Sequence, residues 1–180
     1  MAVLLTDLLI KGSSSLATAG NATPNSGPGS NLGGFCSSGA LIDATLDNLF
    51  SDATGAENAA GNQDYQCYFL LNNNGTQDLS NITVFVNGDT PGGAVIAVGL
   101  DPTGITSLAS SLAQAAVIPN KNTPPAGVVF SYPVLPGNGL LVSNLTHGFV
   151  LPIWIRRTCQ GGPAVNNDGV IIGYSATSPL

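Results

Sequence analysis

From residue 64 onward the chain is a succession of short apolar and β-branched runs, each closed by turn residues, and this grammar constrains the fold most. Runs at 65–71, 81–86, 94–100, 127–132, 139–142, 148–158 and 169–174 are separated by signals such as Asn72-Asn73-Asn74-Gly75 and Asn87-Gly88-Asp89. Alternation in 81–86 places Ile82, Val84 and Val86 on one face, the period of a half-buried strand. Seven such runs predict an all-β domain over 62–180, an antiparallel β-sandwich of jelly-roll-like form.

Two segments break the rhythm. Residues 105–118 are rich in alanine and leucine and are expected to form a short surface helix, ended by 120–125. Residues 1–61 carry few periodic apolar positions, although 2–10 fit either a strand or an extended lead-in. Their Ser13-Ser14-Ser15, Asn25-Ser26-Gly27-Pro28-Gly29 and Gly33-Gly34 stretches predict an extended N-terminal arm. Between 40 and 50, Leu41, Ile42, Leu46, Leu49 and Phe50 fit either a short helix or an irregular packed segment.

Only 8% of the residues are charged, against about 25% in an average soluble domain. The 43% that are hydrophobic suffice for a core, so low charge points to a surface covered by neighbours or presented through hydroxyls and amides. A net charge of -6 argues against nucleic acid as a partner, since phosphate binding needs a basic patch. No apolar run approaches the roughly 20 residues that span a bilayer, so no membrane partner is expected. The start lacks a basic segment of the secretory kind, which points to assembly in the cytoplasm. Three widely spaced cysteines, Cys36, Cys67 and Cys159, read as buried free thiols.

The chemical inventory is thin. His147 is the only histidine and Glu57 the only glutamate, which removes most acid–base pairs and histidine-based metal sites. No G-x-S-x-G elbow is present. Asn166-Asn167-Asp168-Gly169 lacks the spaced acids of a calcium loop and reads as a turn. The expectation is therefore no catalytic residue, no metal and no cofactor. The concentrated feature is Leu151-Pro152-Ile153-Trp154-Ile155-Arg156-Arg157-Thr158, which holds two of the four basic residues and the only tryptophan. Strand alternation sends Ile153, Ile155 and Arg157 to one face, and Trp154 and Arg156 to the other. Asp64, Asp101 and Asp168 stand at the edges of β-type runs, where a carboxylate can meet an arginine in a bidentate pair that fixes register or an interface. Arg156 is also placed to stack on Trp154.

Five motifs, Asp64-Tyr65-Gln66-Cys67-Tyr68-Phe69, Val98-Gly99-Leu100-Asp101-Pro102, Thr123-Pro124-Pro125-Ala126-Gly127-Val128, Trp154-Ile155-Arg156-Arg157-Thr158 and Asn166-Asn167-Asp168-Gly169, occur in an order and spacing that resembles a family of small tailed-bacteriophage virion proteins. Members are head decoration or tail-associated structural proteins, and the resemblance covers 43–174. It implies a β-sandwich virion component without enzymatic activity. The expectation is a capsid decoration (cement) protein, homotrimeric, on the outside of the head, bound to the major capsid protein, its arm reaching across capsomers. The rival is a tail- or fibre-associated protein that binds host carbohydrate on a platform of Tyr65, Tyr68, Tyr132 and Trp154.

Overall fold

Two antiparallel sheets pack face to face, and the turn chemistry decides where the chain passes between them. The computed structural model describes residues 5–25, 27–42, 45, 48–91, 93–163 and 168–177. The strands are β1 (Leu8–Ser14), β2 (Gly33–Ala40), β3 (Gln63–Asn72), β4 (Leu79–Asp89), β5 (Val95–Leu100), β6 (Thr106–Ser107), β7 (Ala115–Val117), β8 (Leu140–Leu145), β9 (Phe149–Thr158) and β10 (Val170–Thr177). The larger sheet runs β5-β9-β3-β1-β2-β7, with β6 also on β9, and the smaller runs β10-β4-β8. All strand pairings are antiparallel. At 72–77 the Asn74 side chain accepts from the amides of Thr76 and Gln77, a tight turn that carries the chain from the large sheet to the small one.

Alternation builds two cores. Tyr68 and Leu70 of β3, Val98 of β5 and Ile153 and Ile155 of β9 face Ile82, Val84 and Val86 of β4 across the sandwich. On the other face of the large sheet, Tyr65, Cys67, Phe69 and Trp154 pack with Cys36, Ala115 and Ile118. β3 and most of β9 are thus buried on both sides, which is why they read as continuous apolar runs rather than strict alternations. Tyr174 of β10 donates its hydroxyl to the Leu8 carbonyl at 3.1 Å, tying the small sheet to β1.

Three expectations need correction. Residues 8–14 and 33–40 do not lie in an arm outside the core: β1 sits between β3 and β2 in the large sheet, in register Leu9 to Leu71 and Lys11 to Phe69. Residues 105–118 form no helix. The fully buried Gln114 side chain accepts from Cys36 N and donates to Ser107 O, while the hydroxyls of Ser107 and Ser110 accept from Ala109 N and Leu112 N. These bonds give the backbone an alternative to the helix. Residues 127–132 are extended but touch β5 through one bridge only, Val98 to Ser131. The α-helix among the described residues, α1 (Gly55–Ala59), is a single turn with a Thr54–Glu57 capping box. In the undecided segment 40–50, Ala40 ends β2 and the other described residues belong to no helix or strand, while Leu41 and Leu49 pack on the sandwich core.

Candidate interaction surface

The β9 segment delivers its three marked side chains to different places. Trp154 is fully buried, and its Nε1 donates to Asp101 Oδ2 at 2.8 Å. The same oxygen accepts from Ala116 N at 3.0 Å, and Asp101 Oδ1 accepts from Thr103 N at 2.9 Å. Asp101 follows β5, at one end of the strand order, and Ala116 lies in β7, at the other. One buried carboxylate therefore draws both ends of the curled sheet onto the tryptophan. Asp101 meets an indole and two amides instead of the arginine expected from its position.

Arg157 does find its acid. It stands opposite Asp64 in the β3–β9 register, and its Nη2 donates to Asp64 Oδ2. Asp64, 2% exposed, also accepts from Asn122 Nδ2 at 2.7 Å and lies 3.7 Å from Lys121 Nζ. Lys121 continues to Glu57 Oε1 at 3.1 Å. The Thr54 backbone amide, then Lys121, hold the Glu57 carboxyl down to about 2. Arg157 lies over the Phe50 ring at 4.8 Å. This network joins β9, β3, the turn at 121–122 and α1.

Arg156 points to the opposite face, as alternation requires, and there no carboxylate of the described residues pairs with it. It lies over Phe130 at 5.1 Å, not over Trp154. Two residues apart on one strand face, the side chains of 154 and 156 stand side by side, and the ring within reach comes from the 127–132 segment. Phe130 in turn meets Tyr65 at 5.5 Å between centroids. Gly99 makes room for this segment: a Cβ there would lie 2.5 Å from Val128 Cγ1 and 2.8 Å from the Val129 carbonyl. Val98 and Ser131 exchange both backbone hydrogen bonds at 2.9 Å.

The outer side of this segment is apolar and open. Val129 is 81% exposed and Leu135 62%, with Tyr132 and Val134 also exposed. No Asp, Glu, Lys or Arg occurs anywhere from 122 to 146. That gap in charge is the signal the sequence carries for this surface. A second exposed apolar pair, Leu16 and Leu112, sits on loops joined by the bond from Gly20 N to Ser110 O.

The remaining candidates have structural surroundings. Asp168 is exposed, its Oδ2 accepting from Ala94 N at 2.7 Å, and it meets no arginine; Asn166 and Asn167 fall outside the described residues. His147 Nδ1 lies 3.4 Å from Asp78 Oδ1 on the surface. Tyr65, Tyr68 and Trp154 are buried, so of the four aromatics in the expected sugar platform only Tyr132 faces solvent. All three cysteines are buried and free, and burial pushes the Cys36 thiol up to about 12. Among the described residues no three His, Cys, Asp or Glu side chains gather as a metal site, and no helix is long and apolar enough to cross a membrane. No family model, curated protein or solved structure matches this chain.

Proposed function

We propose that this chain is a non-enzymatic capsid decoration (cement) protein of a tailed bacteriophage, which binds the outside of the head and bridges subunits of the major capsid protein. The observation that carries the reading is the uncharged stretch 122–146, whose Val129, Tyr132, Val134, Leu135 and Leu141 are exposed. Val129, Tyr132, Val134 and Leu135 fall within seven residues, and exposed apolar side chains so close together mark a protein contact. The motif resemblance to small virion proteins supports the virion as the setting.

The physics of the role is simple. Packaged DNA strains the contacts between shell subunits, and an added layer supplies buried area across them without altering the shell. A standard interface buries roughly 1,200 to 2,000 Å², and many copies act together by multivalency. Few charges suit such a surface, because each unpaired ion buried at a contact costs desolvation energy.

The test is the copy number of the protein in purified virions of the phage that encodes it, by quantitative mass spectrometry against the major capsid protein. Hundreds of copies per particle are expected. A handful would move the protein to the tail, and absence from particles would end the reading.

A further inference from the structure

We propose that Arg156 is the charge-reading centre of the apolar face around Val129, and that it receives a carboxylate from a protein segment whose flanking residues are apolar. This deepens the decoration reading and rests on it, since that reading makes the major capsid protein the partner.

The two neighbouring arginines differ in how they are used. Arg157 pairs with Asp64 inside the fold. Arg156 has Phe130 beneath it and no carboxylate beside it among the described residues, while the Nε of both arginines is buried without an acceptor. An unmatched guanidinium is unusual in a chain with ten acidic and four basic residues, where acids are plentiful. The ring against the guanidinium holds it in place, and with Nε buried its two Nη groups are the donors left for a carboxylate.

The setting is rigid. Arg156 lies opposite Ala97 in the β5–β9 register, and Val95, on the same face two residues away, is 42% exposed. Phe130 is held by Tyr65 and by the close approach of its segment to Gly99. The cation is therefore bordered by exposed Val95 along β5 and covered by Phe130 of the segment that carries exposed Val129 and Tyr132.

A lone small anion would leave those apolar side chains in water, whereas a protein segment covers them and supplies the acid together. Charge complementarity then fixes register. A second copy of this chain suits the face less well, because each copy carries -6 and the contact would bring two acidic bodies together.

The experiment titrates purified full-length protein onto heads lacking it, using the wild type, Arg156→Gln, Arg156→Lys, Val129→Ser and, as a control on the far loops, Leu16→Ser. Arg156→Gln is expected to weaken binding by about tenfold or more, the value of one charge-assisted contact. Arg156→Lys recovers part of the loss, and Leu16→Ser binds as the wild type does. Melting curves accompany each variant. Should Arg156→Gln melt early, Val129→Ser carries the test, since its side chain is exposed and its loss leaves the core intact. Wild-type binding with undiminished binding of Arg156→Gln and Val129→Ser overturns the inference while sparing the decoration reading. Failure of the wild type itself to bind heads overturns that reading and the inference with it. Loss of an oligomer in sedimentation with unchanged head binding would assign the face to a second copy and overturn the choice of partner.

Discussion

Trp154 Nε1 and Asp101 Oδ2 meet at 2.8 Å in the buried interior of the large sheet, where the same oxygen also accepts from Ala116 N. The indole and the carboxylate are 0% and 3% exposed, so neither can turn to water if its partner is lost.

Asp101→Ala strips an acceptor from three donors at once, Trp154, Ala116 and Thr103. The expected loss is about 3 kcal/mol, since bonds to a charged acceptor contribute more than neutral ones and buried orphan donors are costly. Asp101→Asn retains an oxygen and loses less. Urea unfolding followed by the fluorescence of Trp154 measures both; equal stability of Asp101→Ala and wild type would remove the clamp.

Arg157→Met is expected to cost about 2 kcal/mol. Removing one partner of a buried ion pair costs about 3–5 kcal/mol when the other is left alone, but Asp64 keeps Asn122 and has Lys121 nearby. Adding Lys121→Met to Arg157→Met should therefore cost more than the two single changes combined. Strict additivity in chemical denaturation would show that the network is not shared.

Asp89 supplies the pH dependence. Burial, then the neighbouring Asp168 carboxylate, raise its pKa above the ordinary 3.8, although its bond from Ile96 N opposes the shift. A raised folded pKa means the protonated form is favoured in the folded state. Its stabilising effect is complete below the ordinary carboxylate value and fades as pH rises through the raised one. Asp89→Asn is expected to melt higher than wild type at neutral pH, with the difference shrinking on acidification toward pH 4. A constant difference between the two melting curves across that range would contradict this.

Cys36, Cys67 and Cys159 should resist thiol reagents in the native protein and react together in denaturant. Burial raises the pKa of each, and the thiolate is the reactive species. Stoichiometric labelling under native conditions within minutes would contradict the buried positions.

The strands that the sequence makes legible are those whose signals are local. Turn residues bound β3, β4 and β10, and the alternation of 153–157 correctly divides Arg157 from Arg156 because a strand's side-chain period admits no other arrangement. The partners of those charges depend on contacts far apart in the chain: Asp101 meets Trp154 from 53 residues away, which no local pattern encodes. The helix expected at 105–118 fails for the same reason, since the burial of Gln114 overrides alanine and leucine propensity. The short helix that does form was marked locally by Thr54 and Glu57, the two ends of a capping box. The run at 127–132 is legible as extended chain, but the contact of Phe130 with Arg156 and the exposure of Val129 depend on how the segment folds over Gly99, which no local pattern encodes.

The central place of β9 sets a clock on biosynthesis. β9 lies between β3 and β5, so the large sheet stays in two pieces until residues 149–158 have left the ribosome. At typical translation rates the wait after β3 is about 4 to 15 s, during which the apolar faces of β3 and β5 lack their common neighbour. A slow codon run between 100 and 148 lengthens that wait without changing one amino acid.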